Sequence, residues 1–591
     1  MFKQEFQEYI IEAVSKAIKE EKLGGLTNIK DALLIIEKPK NPEFGDIAVN
    51  ISPLAKFAKI SPPQIAQTIL SYTNFNDAQT SVMGGFINIK LGKSWLNRAL
   101  SQIINEKENF GKNNLGNKEK VLLEYVSANP TGPLHIGHGR WAAMGSALAN
   151  LLKISGFDVT QEFYINDEGN QINNLAKSLW IRVLQQLGIN AAFPTDEIEA
   201  KNYYSGDYLI DTAQTYVSEN SEKAKFLAQK NTDYLNPSDE ILKEMASFAK
   251  AKMLQAQKNL LETLRVDFQN YYSETSLHLS GKVGECVNKL QNKGEIYEKD
   301  EALWFCSSKY GDDQDRVIKK TDGSNTYLTA DIAYHLDKLE RGYERLINIW
   351  GADHHGYVAR IKASIEALGY NPNKLEILLG QLVNLIISGE QVRMGKRKKM
   401  ITLEDLVNEV GVDATRFWMI MRSIDTTLDF DVDLAKSNTD ENPVFYVQYA
   451  HARCNSILRH AIAPRFDTET KEQLPSFLTE EELKTITEIN GVNFDYLWTD
   501  DEKALNATKS LVLKLESFSD VVLGAAKARA PYMIARYAQE LAGDFHHFYS
   551  FARVLNVENN LSKSRLALVY ATKVIIANSL NILGVSAPKS M

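Results

Sequence analysis

The 591-residue chain has little of what marks several protein classes. It carries three cysteines, Cys286, Cys306 and Cys454, far apart in sequence, so they offer neither a disulfide framework nor a C-x-x-C zinc site. No uninterrupted run of 18 apolar residues occurs, and no membrane span is expected. The first 22 residues, MFKQEFQEYIIEAVSKAIKEEK, lack the apolar stretch of a signal peptide. Five glutamates among the first 21 residues argue against a mitochondrial presequence. An excess of positive charge is also missing: 67 Lys+Arg face 75 Asp+Glu, a net −8, which taken alone counts against nucleic acid as a partner. What remains is ordinary, 44% apolar and 24% charged, with no repeat or low-complexity tract. That composition fits a soluble protein of a reducing compartment, with three or four domains at roughly 150 residues each.

Periodicity divides the chain. Phe2, Phe6, Tyr9, Ile10, Val14 and Ile18 recur at helical spacing over 1–24, and a short α+β unit follows with NPEFGDIAVN (41–50), a helix near 61–72 and the alternating run FINIKL (86–91). The polar stretch 105–120 reads as a linker. VLLEYV (121–126), LINIW (346–350) and LEILLG (375–380) read as buried parallel strands alternating with helices, which predicts a doubly wound sheet. A long insertion, about 160–300, has helical periodicity, and nearly everything from Asn442 onward reads as helix.

Two segments carry chemistry. In SANPTGPLHIGHGR (127–140) a strand gives way to a Gly- and Pro-rich turn and then a helix, the arrangement by which α/β folds present a phosphate site. It is neither a G-x-x-x-x-G-K-[ST] loop nor a G-x-G-x-x-G turn. His135 and His138, three apart at the helix start, have the donors to stabilise charge on a phosphoryl oxygen; two surface histidines or metal ligands are the alternatives. In GEQVRMGKRKKMITLEDLV (389–407) five basic residues, Arg393, Lys396, Arg397, Lys398 and Lys399, crowd a glycine-containing loop. Such a loop suits closure over a triphosphate, and the alternative is a solvated basic loop.

Together the two segments resemble the H-I-G-H and K-M-S-K-R signatures of class I aminoacyl-tRNA synthetases, in the right order and more than 250 residues apart. ALWFCSSKYGDDQDRVIKKTDGSNTYLTADIAYH (302–335), GADHHGYVARIKA (351–363), NPVFYVQYAHAR (442–453) and RYAQELAGDFHHFYSFARVL (536–555) narrow the resemblance to arginyl-tRNA synthetase, from near residue 40 to the last helix. The second signature departs from the family, with Arg393 for the first lysine and Gly395 for the serine.

The resemblance implies an N-terminal α+β domain over 1–107 that touches the tRNA elbow at its D-loop, with a purely structural role as the alternative for its Phe44 and Asp46. A Rossmann-like catalytic domain would span 108–441 and an all-helical anticodon-binding bundle 442–591. It implies two-step, ATP-dependent attachment of L-arginine to tRNA through an arginyl-adenylate, with Mg2+ accompanying ATP and no zinc or other bound metal. His135, His138 and Lys396 would act in catalysis. Gly137, Gly139, Asp353, Arg393 and Arg397 would meet ATP. Glu124, Ser127, Asn129 and His354 would hold the amino and carboxylate ends of arginine, with Glu274, Tyr327 and Asp331 around the guanidinium; a helix N-cap is the structural alternative for Asp331. The resemblance further implies a cytoplasmic, monomeric enzyme with no membrane partner; the alternative is a tRNA-binding paralogue with altered catalysis. Charge distribution supports an RNA partner better than the total does. Residues 466–520 hold 13 acids and 5 bases, whereas 521–591 hold 8 bases and 3 acids interleaved with Tyr532, Tyr537, Phe545, Phe548, Tyr549 and Phe551.

Overall fold

The structure, a computed structural model, describes residues 2–27, 34–39, 41–231, 233–392, 401–466, 473–488, 492–499 and 501–591. Five strands form its central sheet: β1 (Lys120–Glu124), β2 (Asp158–Ile165), β3 (Asn270–Ser273), β4 (Arg345–Gly351) and β5 (Leu375–Gly380). They lie in the order β5-β4-β1-β2-β3, and every pairing is parallel. The Val, Leu and Ile runs of β1 and β4 are buried because helices cover both faces. Strand order reverses between β1 and β4, and in open α/β sheets ligands bind at that crevice, beyond the carboxyl ends of the strands.

Three helices shape the crevice: α1 (Ile136–Ile154), α2 (Asp239–Thr263) and α3 (Tyr327–Glu340). α1 is rich in Gly and Ala, which lets it lie close against the sheet; a Cβ at Gly145 would collide with the ring of Tyr125. The segment expected as an insertion, about 160–300, is helical from Asn170 to Thr263 around its own core of Leu179, Trp180, Tyr216 and Met245. It also contains β3, whose polar, half-buried NYYS shows none of the apolar run by which the other strands announce themselves. A three-stranded sheet (Val383–Ile387, Glu390–Val392, Leu428–Asp431) follows β5.

The N-terminal unit is a four-stranded antiparallel sheet packed on helices Phe2–Lys19 and Pro62–Ser71, with Phe6 stacked on Trp95. The stretch expected as a linker is ordered structure. Helix Lys93–Glu106 runs into it, Phe110 is buried against Phe518, and Asn578 Nδ2 donates to Lys107 O. Its polar composition misleads because turns dominate it while one aromatic does the packing.

Beyond residue 442 the chain is a helical bundle built around Asn559–Leu583. By length and composition alone that helix is apolar enough to cross a bilayer, an 18-residue window in it reaching a mean hydropathy of 1.6. Buried Ser564, Arg565, Thr572 and Ser579 had broken the apolar run. Most of the window, 72%, is covered by the neighbouring helices, as in the core helix of a bundle.

Candidate active site

The turn after β1 is strained and held from several sides. Val126 and Ser127 both adopt left-handed backbone (φ 67° and 42°), which costs on the order of 1–3 kcal/mol for a β-branched residue. Ser127 Oγ donates to Glu124 Oε1 (2.9 Å) and accepts from Tyr164 N (3.2 Å). The inserted helices clamp the next residues. Gln257 Nε2 on α2 donates to Asn129 O (3.1 Å) and Gly132 O (2.9 Å), Tyr208 Oη donates to Thr131 O (2.8 Å), and Asn129 Nδ2 donates to Gln171 Oε1 (2.7 Å). None of Gln257, Tyr208 and Gln171 carries a local sequence signal, since the contacts span 42 to 128 residues.

His135 caps α1 and His138 lies one turn in. The His135 N–H donates to His138 Nδ1 (3.2 Å) and the two rings stack at 3.5 Å. Burial lowers both imidazoles, His138 to about 3 with His135 adding to the effect, so both are neutral at pH 7. With Nδ1 accepting, the His138 proton sits on Nε2, a donor without net charge. The His135 ring lies over Gly137, where a Cβ would stand 3.0 Å from Cε1. Gly139 is tightly packed. It is buried, and a Cβ there would collide with Leu403 Cδ1, so packing by itself demands a glycine.

Leu403 opens helix Leu403–Val410, just after the basic segment, and its N–H donates to Leu134 O (2.9 Å) while Thr402 bridges to His135. The chain on the far side of the basic segment is therefore bolted to the histidine turn. Arg393, Lys396 and Arg397 themselves lie outside the described residues. Arg140, fully buried, fastens the other flank by donating to the carbonyls of Gln381, Leu382, Ser423 and Thr426.

Three carboxyl groups converge across the crevice. Glu124 ends β1, Glu274 opens the helix after β3, and Asp331 lies on α3; all three act electrostatically on Tyr164 of β2. Glu274 is buried beside His278 Nε2 (3.7 Å), and burial raises its carboxyl. Asp331 accepts from Tyr357 Oη (2.6 Å); burial first, then the charges of Glu274 and Glu124, push it up to about 7. Acids crowded out of water with each other's charge define a place made for a cation. α3 begins at Tyr327 with Thr326 as its N-cap, so Asp331 sits in the second turn and the N-cap alternative fails. Tyr327 is 70% exposed, with its hydroxyl near Gly169.

Asp353 and His354 follow β4 in a 3-10 turn, at the edge of the same crevice. Both are exposed, His354 lies 6.1 Å from the Trp350 ring, and Asp353 folds back over Gly351. Asp167, unremarked in the sequence, anchors the Glu274 helix: it accepts from Thr275 N (2.9 Å) and Ser273 Oγ and pairs with Lys250 (3.0 Å).

The basic C-terminal segment is partly consumed by the fold. Arg529 pairs with Glu376 of β5 (2.9 Å), Lys563 with Glu482 (3.0 Å), and Arg565 is buried. Tyr537, Phe545 and Phe548 are core, whereas Phe551 is exposed and Tyr549 lies under Arg453, 4.7 Å away. Asp46 accepts from Leu91 N (2.8 Å) and pairs with Lys509 (2.8 Å), locking the N-terminal unit to the bundle, while Phe44 remains exposed.

A parallel sheet in this order, with a histidine turn at its switch point, is the catalytic unit of a class I aminoacyl-tRNA synthetase. The family model "tRNA synthetases class I (R), catalytic domain" matches residues 99–425, "Arginyl tRNA synthetase N terminal domain" matches 4–91 and "DALR anticodon binding domain" matches 447–591. The chain is 43% identical to "Arginine--tRNA ligase 1" of Halalkalibacterium halodurans, over 100% of this chain and 99% of that one. It is 42% identical to "Arginine--tRNA ligase" of Geobacillus kaustophilus, over 99% of each. The fold of the Thermus thermophilus arginyl-tRNA synthetase superposes with a TM-score of 0.73 over the whole of both chains, at 21% identity. The chain belongs to the arginyl-tRNA synthetase family. That class uses ATP as a substrate.

Proposed function

We propose that the chain attaches L-arginine to its cognate tRNA in two steps. The arginine carboxylate attacks the α-phosphate of ATP in line, giving arginyl-adenylate and pyrophosphate; the terminal ribose of tRNA then takes the arginyl group. The observation that carries the reading is the convergence of Glu124, Glu274 and Asp331, three crowded acids at the carboxyl ends of the strands, beside the paired neutral histidines. A guanidinium is planar and permanently charged and is best held by carboxylates; Glu274 and Asp331 meet it, with Tyr327 at the rim, and Glu124, Ser127, Asn129 and His354 meet the other end.

No covalent intermediate with the protein is needed, so positioning and charge stabilisation carry catalysis. His138 and His135 donate hydrogen bonds to the phosphoryl oxygens without adding net charge. Gly137 and Asp353 border the nucleotide, and Lys396 with Arg393 and Arg397 neutralises the departing pyrophosphate. Mg2+ enters as the counter-ion of ATP; among the described residues no group of three or more His, Cys, Asp or Glu side chains is placed to hold a metal. The bundle takes the anticodon end of tRNA, supported by the match to an anticodon binding domain and by the Arg453, Tyr549 and Phe551 surface. The reading takes the enzyme as a cytoplasmic monomer, as the family resemblance implies. The paralogue alternative finds no support in the ligase relatives.

ATP–pyrophosphate exchange with each amino acid, with and without tRNA, tests the reading. Exchange with arginine alone, and only when tRNA is present, is expected. Exchange driven by a different amino acid overturns it.

A further inference from the structure

Both ends of the proposed arginine pocket hang on one buried polar chain. Lys338 of α3 is fully buried. Its Nζ donates to Glu124 Oε2 and to Asn348 Oδ1 (3.1 Å), and it lies 4.3 Å from the centre of the Tyr334 ring. Asn348, the β4 residue in register with Glu124 of β1, donates through Nδ2 to His335 Nε2 (3.0 Å). His335 Nδ1 donates to the backbone carbonyl of Asp331 (2.8 Å). Burial, with Lys338 adding to it, lowers His335 to about 3, so the ring is neutral and its single proton belongs on Nδ1. Every donor then points one way, from Lys338 and Asn348 outward, and no buried side-chain nitrogen or oxygen of Glu124, Lys338, Asn348 or His335 is left unpaired.

The three α3 residues, Asp331, His335 and Lys338, share one helix face at spacings of four and three. Around Glu124 stand Lys338 and Tyr334 from α3, Tyr164 from β2, Ser127 from its own loop, and Asp331 across the pocket. Lys338 is the cation among them in direct contact with that carboxylate. A bare buried carboxylate is costly, and its position would follow whichever neighbour it found.

We infer that Lys338, held by Asn348 and His335, is a positioning residue for arginine: it fixes the Glu124 carboxylate at the amino end of the pocket and ties it to the helix turn that carries Asp331. The inference rests on the reading of Glu124 as the amino-end contact. It deepens that reading by making the two ends of the pocket one rigid unit, so that the distance between the acids is set by α3 and β4 rather than by loops.

A double-mutant cycle tests it. Arginylation kinetics of the full chain are measured for Glu124→Gln, Lys338→Met and the double variant, with arginine, ATP and tRNA each varied and melting recorded. Each single variant is expected to raise the arginine KM about tenfold or more, leaving the ATP and tRNA values within about twofold. The double variant is expected to be no worse than Glu124→Gln, because a lysine with no carboxylate to place has nothing further to lose. A Lys338→Met enzyme with unchanged arginine KM, or losses that add in the double variant, overturns the inference while leaving Glu124 in the pocket. An unchanged arginine KM in Glu124→Gln overturns the reading of Glu124 beneath it. If Lys338→Met does not fold, the double variant, which leaves no unpaired buried charge at this pair, is compared with Glu124→Gln alone: equality supports the inference and a further rise overturns it.

Discussion

Replacing Asp331 by asparagine is expected to stabilise the protein and to disable it. Asp331 is held at about 7 by burial and by the charges of Glu274 and Glu124. An unfolded aspartate titrates near 3.9. Between those values the folded chain keeps a proton that the unfolded chain has released, so stability falls as pH rises through the window. By pH 8 the accumulated cost approaches about 4 kcal/mol, and at pH 5 it is on the order of 1 kcal/mol. Asparagine is nearly the same size, still accepts the Tyr357 hydroxyl and carries no charge. Asp331→Asn is therefore expected to raise the melting temperature by several degrees at pH 8 and by much less at pH 5. Arginine binding supplies the missing cation to the wild type, so saturating arginine raises its melting temperature at pH 8 and does not raise that of the variant. Calorimetric melts at the two pH values, with and without arginine, read all four quantities. Equal destabilisation by the substitution at pH 8 and pH 5 refutes the reasoning, because it would mean that Asp331 is an ordinary structural carboxylate.

Two further outcomes follow from the histidine turn. Because burial lowers His138 to about 3, kcat/KM carries no titration from it between pH 6 and 8, and His138→Asn lowers activity by a similar factor across that range; an acidic limb near 6.5 that vanishes in His138→Asn contradicts this. Gly139→Val collides with Leu403, so it is expected to cost about 1–3 kcal/mol in thermal unfolding and to depress exchange activity, with partial recovery on adding Leu403→Ala; a Gly139→Val enzyme with normal melting and activity shows that the contact does not exist.

What could be read from residues alone was what repeats locally. The runs VLLEYV and LINIW are apolar because they are buried on both faces, and they became β1 and β4, while LEILLG became the half-buried edge strand β5. The half-buried NYYS of β3 has no such run, and its place in the sheet is set by pairing with β2, more than 100 residues earlier. The histidine turn was legible through its glycines and prolines. Its clamps, Gln257, Tyr208 and Leu403, were not, because each acts across a long stretch of sequence on backbone or on an empty Cβ site. Gly139 had a local signature that suggested phosphate and a distant cause that is packing. Asp331 followed from resemblance alone, and its second-turn position became visible only once Thr326 was seen capping α3. The basic tail overstated the RNA surface, because Arg529, Lys563 and Arg565 are spent on the fold. In the helix Asn559–Leu583, polar residues facing protein hid an apolar average high enough for a membrane.

Selection of arginine for attachment to tRNA by the crowded acids at the switch point is the step on which the proposed function stands. It is tested most directly by incubating the purified chain with ATP, Mg2+, unfractionated tRNA and each of the twenty amino acids in radiolabelled form, and measuring label esterified to tRNA. Arginine alone is expected to become tRNA-bound, and Asp331→Asn is expected to abolish the signal while tRNA binding persists. Attachment of any other amino acid, or undiminished arginylation by Asp331→Asn, contradicts it.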